Sequence, residues 1–175
     1  NREIREIMRD KEYIFNSKLA DKNINFKLLD QDVEALNFSM SDLKRFKHIA
    51  NFEAFDNTVM DIITKDMIAQ ELSNMDLIYT IGLADYLPDR VLGRLLEKCF
   101  RTYLAKGGHL VIAHKDISKY NPLPPNWFCD WNFYSRTQKD IEQLLSAYID
   151  QKLAITKYYR DETGVIFFAD IKKKK

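Results

Sequence analysis

The residues of this chain that are best suited to chemistry stand where apolar, strand-like runs end. Asp30 closes one such run, residues 80–86 end a second, and His114 closes a third. A carboxylate accepts hydrogen bonds, and histidine is the side chain whose charge changes most readily near neutral pH. Because open parallel sheets bind ligands beyond the carboxyl ends of their strands, we expect these residues to border a ligand site.

The segment 75–89 determines how these residues are placed. Residues 77–81 are a β-branched and aromatic run bounded by Asp76 and Gly82, which predicts a short buried strand. Pro88 then indicates the first turn of a helix, where its missing N–H removes no helical hydrogen bond.

An amphipathic helix and a second strand follow this turn. Apolar side chains recur every three or four residues up to Leu104, and Gly107 and Gly108 predict the end of the helix. Residues 109–114 predict another buried strand. Strand, helix and strand with short connections form a βαβ unit, so the sheet is predicted to be parallel here.

The remaining patterns complete an α/β chain whose mostly parallel sheet ends in an antiparallel hairpin. In chain order they predict a helix at 2–15, a strand at 24–29, a helix from Asp32 to about 46, a strand at 48–55, partial helix at 59–72, a long aromatic loop at 115–136, a helix at 137–148, and a hairpin of 152–159 with 165–171. Asp32 is predicted to cap its helix, and Thr137 with Asp140 predicts a capping box.

Length and charge limit the classes of function. The 175 residues suit one domain spanning 1–175, and a formal net charge of +1 argues against a nucleic-acid partner. No apolar run reaches the ~18 residues that a membrane span needs. Cys99 and Cys129 have neither metal-ligand spacing nor a disulfide framework. We therefore predict a cytoplasmic protein without a metal site or a membrane span, and the oligomeric state stays open.

Three stretches resemble motifs of the class I S-adenosylmethionine-dependent methyltransferases. Residues 27–36, a strand ending in an acid and followed by a helix, resemble the second motif of that superfamily, and residues 76–82 resemble the fourth. Residues 104–112 are similar to its Gly-Gly strand entry, with Ala105-Lys106 where Lys-Pro is common. The resemblance covers nearly the whole chain. It implies a Rossmann-like three-layer sandwich, S-adenosylmethionine as cofactor and methyltransferase activity.

Two narrower stretches resemble one bacterial branch of the superfamily. Residues 82–87 and 130–137 are similar to the hydroxy fatty acid methyl ester (extracellular factor) biosynthesis enzymes. This resemblance implies a small-molecule acceptor, for example a fatty acid carboxylate.

One departure from the superfamily concerns its first, Gly-rich motif. The chain has only five glycines, and no strand with a Gly-rich turn can be recognised. In the superfamily that turn leads into a helix like residues 1–7. We therefore expect the first strand to be missing from between the strands that end at Asp30 and Gly82, and these 175 residues alone to be weak or inactive.

The resemblance implies four side chains at the adenosine part of the cofactor. Asp30 would accept hydrogen bonds from both ribose hydroxyls, and Gln31 would flank the adenine. Asp56 and Asn57 are candidates for the adenine amino group. The structural alternative is a helix-capping aspartate at Asp30 and a plain turn after the strand at 48–55.

The backbone of Thr80, Ile81 and Gly82 would come close to the cofactor, and Gly82 permits this approach because it lacks a side chain. A simple strand-ending glycine is the alternative explanation.

The acceptor side is predicted to combine one histidine with aromatic walls. A carboxylate acceptor needs no base, whereas an alcohol or amine would benefit from one, and His114 is the histidine placed to serve. Tyr86, Trp127, Trp131 and Tyr134 would wall an acyl or aromatic acceptor. The structural alternatives are a histidine that supports the strand end and aromatics that only pack.

Two other classes of function compete with the enzyme. The chain could be a non-catalytic methyltransferase-like module that binds a partner, which the missing Gly-rich turn would favour. A different nucleotide-binding α/β domain is disfavoured, because the closing hairpin and the setting of Asp30 suit methyltransferases better.

Overall fold

The computed structural model describes residues 2–13, 22–121, 123, 127, 128, 130 and 133–175, with the backbone alone described for residues 10–13. Its internal contacts divide the chain into two compact units, Asn1–Asp61 and Ile62–Lys175, which are described in turn. The single domain over residues 1–175 stays a prediction.

The first unit contains two parallel strands and two longer helices. Its elements are α1 (Arg2–Tyr13), β1 (Ile24–Asp30), α2 (Val33–Leu43) and β2 (Ala50–Asp56), and α3 (Val59–Thr64) crosses into the second unit. Asp32 caps α2 as predicted, because its carboxylate accepts from the backbone N–H groups of Glu34 and Ala35 at 2.9 and 3.0 Å. β1 and β2 pair in parallel along their whole length.

The second unit contains a four-stranded sheet and its helices. The elements are α4 (Asp66–Leu72), β3 (Met75–Ile81), α5 (Asp89–Lys98), β4 (Leu104–Lys115), α6 (Gln138–Tyr148), β5 (Ala154–Arg160) and β6 (Ile166–Lys173). The strand order is β3-β4-β6-β5, with β3 parallel to β4 and with β6 antiparallel to both β4 and β5. The mixed α/β class with parallel strands and a C-terminal antiparallel hairpin is therefore confirmed.

The predicted end of the central helix at Gly107 and Gly108 is wrong. α5 ends at Lys98, one wider helical turn covers Cys99–Tyr103, and β4 already begins at Leu104. The two glycines lie inside β4, where the pairing with β3 shifts in register. A Cβ at Gly108 would come within 2.9 Å of the backbone oxygen of Met75, so the glycine allows a close strand approach and caps no helix.

Helix α6 begins as predicted. The side chain of Thr137 accepts from the backbone N–H of Asp140, whose carboxylate accepts from the backbone N–H of Thr137 in return. This reciprocal capping box fixes where the chain turns from the long loop into the helix.

Among the described residues, no helix has the length and apolar character that crossing a membrane requires. In the same part of the chain, no group of three His, Cys, Asp or Glu side chains is arranged to hold a metal ion.

Candidate functional site

Three buried polar side chains of the second unit meet at the carboxyl ends of β3 and β4. Asp85 lies in the short turn after β3, His114 is the penultimate residue of β4, and Arg136 stands just before α6. Their exposed fractions are 4%, 2% and 4%. Burial of three ionisable groups together requires a specific set of partners, because an unpaired charge in the interior is costly.

Arg136 fastens the turn between β3 and α5. Its Nη1 donates to the carbonyl oxygen of Ala84 at 2.9 Å and its Nη2 donates to that of Leu87. Nε and Nη2 also contact Oδ1 of Asp89, at 2.8 and 2.7 Å. The planar guanidinium thus satisfies two loop carbonyls and one carboxylate at once, a geometry that lysine cannot reproduce.

Both ring nitrogens of His114 are engaged. Nδ1 lies 2.8 Å from the carbonyl oxygen of Lys115, and Nε2 lies 3.2 Å from Nη1 of Arg136. Arginine only donates, so Nε2 is the acceptor and Nδ1 carries the hydrogen. Burial lowers the pKa of His114 below its ordinary value, and nearby Arg136 lowers it further, against the opposing effect of Asp85. The imidazole is therefore neutral at neutral pH.

This arrangement bears on the prediction that His114 is a base. Its Nε2 lone pair already accepts from Arg136, so the ring has no acceptor directed at a substrate in this geometry. The base role stays a prediction, and the contacts describe a side chain that joins the end of β4 to Arg136.

Asp85 is held by its backbone more than by its side chain. Its carbonyl oxygen accepts from the N–H of Tyr134 at 2.8 Å. Oδ1 lies 3.0 Å from Nδ1 of His114, yet this contact lacks hydrogen-bond geometry, and the described residues give Oδ1 no other hydrogen-bond partner.

A second buried acid, Asp116, supports the loop from the other side. Oδ2 accepts from Arg160 at 2.7 Å, and Oδ1 accepts from the hydroxyl and backbone N–H of Ser118 at 2.7 and 3.0 Å. Burial alone would raise the pKa of Asp116, but these hydrogen bonds and the charge of Arg160 lower it below its ordinary value. The acid is therefore a charged anchor of the loop.

A small cleft opens beside Asp85, and we call it the Asp85 cleft. Its lining includes Asp85, His114, Lys115, Tyr120, Phe133 and Tyr134. The ammonium of Lys115 lies 3.8 Å from the centre of the Phe133 ring and 5.5 Å from that of Tyr120. The cleft thus combines a buried acid and a partly buried cation with aromatic walls, the composition expected for a small-molecule site.

The four residues predicted at the adenosine end lie in the first unit. Asp30 and Asp56 are paired neighbours at the carboxyl ends of β1 and β2, and the N–H of Asn57 donates to the carbonyl of Asp30 at 3.2 Å. The Asp30 side chain accepts from the N–H of Asp32 at 3.1 Å, and both Asp30 and Gln31 are exposed. The structure therefore brings these four residues together.

Thr80, Ile81 and Gly82 lie at the end of β3. Thr80 and Ile81 pair with Ile112 and Ala113 of β4. Gly82 has a φ of +86°, a left-handed backbone that glycine adopts without strain, and a Cβ there would meet no atom within 4 Å. Backbone conformation is thus enough to explain the glycine, and open space lies beside it.

Of the four aromatic residues predicted to line the acceptor site, Tyr134 lines the Asp85 cleft and Tyr86 lies beside it. Tyr134 lines the Asp85 cleft, and the Tyr86 ring lies 5.5 Å from that of Phe133, which also lines it. Trp127 is 80% exposed and is not part of the lining. Trp131 lies outside the described residues.

Sequence reasoning pointed to the stretches 80–86 and 114–116 as borders of a ligand site, but it did not single out Asp85, Asp116 or Arg136 as site residues. Both Asp85 and Arg136 stand inside the two stretches, 82–87 and 130–137, that resemble one branch of methyltransferases. That signal pointed to the segments, whereas the role of each side chain depends on contacts between segments far apart in the chain.

Solved structures share this arrangement of strands and helices. The small RNA methyltransferase HEN1 is 13% identical with a TM-score of 0.64, over 86% of this chain and 20% of its own. The N-methyltransferase NodS from Bradyrhizobium japonicum, solved with S-adenosyl-l-homocysteine, is 14% identical with a TM-score of 0.58, over 85% and 66%. The chain has the Rossmann-like α/β fold of these structures. At these identities the likeness shows the fold alone.

A protein from Bordetella parapertussis described as a possible exported protein is 18% identical, with a TM-score of 0.62 over 85% of this chain. The chain spans 53% of the length of that protein and 20% of HEN1. No protein-family model and no curated protein matches the sequence.

Proposed function

We propose that this chain is part of an S-adenosylmethionine-dependent methyltransferase that acts on a small molecule. The observation that carries the proposal is the exposed carboxylate of Asp30 at the carboxyl end of β1, in a methyltransferase fold. An acid at this place is suited to the two hydroxyls of a ribose, because each hydroxyl can donate to one carboxylate oxygen.

The first unit fits the adenosine half of the cofactor. Asp30 and Gln31 are exposed beside Asp56 and Asn57, so carboxylate and amide groups are available for the ribose and the adenine amino group. The bound cofactor would supply an electrophilic methyl group on a sulfonium. The protein's part is to hold the acceptor in line with that methyl group, since positioning dominates a displacement of this kind.

The acceptor that we propose is a small amphiphilic molecule, and a fatty acid carboxylate is the specific group that the sequence resemblance suggests. The lining of the Asp85 cleft supports a small acceptor, because aromatic walls beside polar groups suit a chain or ring with a polar end. A net charge of +1 supports a non-nucleic-acid acceptor. We also propose a cytoplasmic location, supported by the absence of any disulfide spacing in the sequence.

Calorimetry of S-adenosylmethionine on the full-length protein tests the proposal. The Asp30→Ala variant should bind the cofactor about tenfold or more weakly than wild type, since hydrogen bonds to a charged group are lost. Glu34→Gln is the matched control, because it removes one exposed negative charge four residues away in the first turn of α2. Equal affinities of wild type and Asp30→Ala would remove Asp30 from the site.

A transfer assay tests the acceptor. Labelled methyl from S-adenosylmethionine should appear in a long-chain hydroxy fatty acid and not in RNA. Labelled RNA as the product would contradict the small-molecule acceptor, and a wild-type protein without affinity for the cofactor would contradict the whole proposal.

A further inference from the structure

The carboxylate of Asp85 is buried, and one of its oxygens receives no hydrogen bond from the residues that the structure describes. The residue is 4% exposed, and within the described part of the chain Oδ1 has no hydrogen-bond partner. An unsatisfied acceptor in the interior is rare, because its desolvation is not compensated. Such a group in a native structure therefore calls for a donor from outside the described residues, either an ordered water or a bound ligand that replaces it.

His114 does not supply this partner. Its Nδ1 lies 3.0 Å from Oδ1 of Asp85, but the hydrogen on Nδ1 is directed to the carbonyl of Lys115 at 2.8 Å. Its Nε2 accepts from Arg136, which keeps the ring in the neutral form and prevents a second N–H. The charge of Asp85 is therefore neither neutralised nor fully hydrogen-bonded by the histidine.

The unsatisfied oxygen belongs to a residue that lines a cleft. Asp85 lies beside Tyr120, Phe133 and Tyr134 in the lining of the Asp85 cleft. The ammonium of Lys115 is 3.8 Å from the Phe133 ring centre, so it contributes positive charge on the aromatic side of the cleft. A ligand with a flat or aliphatic body would pack on the rings and place its polar end at Asp85.

We infer that the Asp85 cleft binds its ligand through a hydrogen-bond donor, a hydroxyl or an amine N–H, that donates to Oδ1 of Asp85. This inference rests on the proposed function in taking that ligand to be the methyl acceptor. A ligand whose only polar group is a carboxylate would bring like charge against a buried acid, which is unfavourable. The acceptor class is therefore narrowed to small apolar-bodied molecules that carry a hydroxyl or amine, whatever group receives the methyl.

Three probes that share a phenyl ring and differ in their polar group test the inference. Benzylamine, benzyl alcohol and benzoate are each titrated into the full-length protein and followed by NMR. Wild type should bind benzylamine and benzyl alcohol more tightly than benzoate, by about tenfold for the charged donor. Asp85→Asn keeps the shape but adds an amide donor. In this variant benzylamine should lose about tenfold in affinity, and benzoate should bind better than in wild type.

Glu162→Gln is the matched control, because it removes one negative charge from the exposed turn of the hairpin. It should leave all three affinities unchanged. A second measurement guards against misfolding: Asp85→Asn should melt at the same temperature as wild type or higher, since it removes a buried, unsatisfied charge.

Equal or tighter binding of benzoate by wild type overturns the inference, as does a preference unaltered by Asp85→Asn or the absence of any benzylamine binding up to its solubility. Cofactor affinity is measured in the same samples and reports separately on the proposed function. Loss of cofactor binding with the amine preference intact would thus contradict the methyltransferase and leave the donor-binding cleft in place.

Discussion

Nη1 of Arg136 lies 3.2 Å from Nε2 of His114, and both side chains are buried. A guanidinium that donates to an imidazole holds that ring neutral, because a second proton on the ring would face a permanent positive charge. This contact joins the end of β4 to the residue that fastens the turn after β3.

Arg136 should be the most sensitive residue of the site for stability. We expect Arg136→Met to lower the free energy of unfolding by about 3 kcal/mol, because two loop carbonyls and Nε2 of His114 lose their donors. Arg136→Lys should recover only a small part, since an ammonium cannot span these partners. Urea unfolding measures the change, with the exposed Arg94→Met on α5 as control. Full recovery by lysine would show that charge alone matters.

Stability should fall with acid through His114. Burial, the largest cause, and Arg136 lower its pKa from the ordinary 6.5, so below that value the unfolded chain binds a proton that the folded chain resists. The melting temperature should therefore decrease between about pH 7.5 and about pH 5.5, on either side of the ordinary histidine pKa. His114→Gln should show a smaller decrease, whereas the exposed His48→Gln should behave as wild type. A wild type that gains stability at the lower pH would indicate a protonated ring paired with Asp85.

Variants of Gly82 distinguish the effect of backbone strain on stability from the effect of a side chain on cofactor binding. Gly82→Ala should cost about 1 kcal/mol of stability, because φ is +86° and a Cβ is disfavoured there. Gly82→Asn should cost less, since asparagine tolerates left-handed backbone. If the cofactor comes close to this backbone, Gly82→Asn should nevertheless weaken S-adenosylmethionine binding about tenfold by calorimetry, because a side chain then occupies the open space. Unchanged affinity in this variant would leave Gly82 a purely structural glycine.

Tyr134 should influence the acceptor and not the cofactor. Its ring lines the Asp85 cleft, and the guanidinium carbon of Arg136 lies 5.5 Å from the ring centre. Tyr134→Ala should raise the acceptor KM about fivefold through lost packing area, with the cofactor affinity unchanged. Tyr134→Phe keeps the ring and should stay within about twofold of wild type if packing is its role. An effect on kcat alone would contradict a wall and point to a role in the chemical step.

The parts of the fold that depend on neighbours in sequence were predicted from the sequence. Asp32 caps α2 and Thr137 with Asp140 caps α6 through contacts within three residues, and such contacts are visible as residue patterns. The pairing of two short strands across the turn near Gly164 is likewise local. Asp30 and His114 stand at strand ends as predicted, because apolar runs indicate where buried strands stop.

Pairing between distant strands determined the role of two glycines that the sequence pattern assigned wrongly. Gly107-Gly108 has the pattern of a helix end, yet it lies inside β4. The backbone of β3 comes so close to Gly108 that a Cβ would not fit, and this long-range contact explains the glycine. Periodicity gives the type of an element, whereas register is set by packing between strands that are distant in the chain.

The sequence by itself determined the α/β order of elements, the helix caps, the closing hairpin and which strand ends carry polar side chains. Only the tertiary structure placed Arg136 on Ala84, 52 residues away, and on Nε2 of His114, 22 residues away. It also left Oδ1 of Asp85 buried with no donor among the residues that the structure describes. The physical reason is that hydrogen-bond partnership depends on distance and angle in space, which follow from strand register and loop path and have no signature in local spacing.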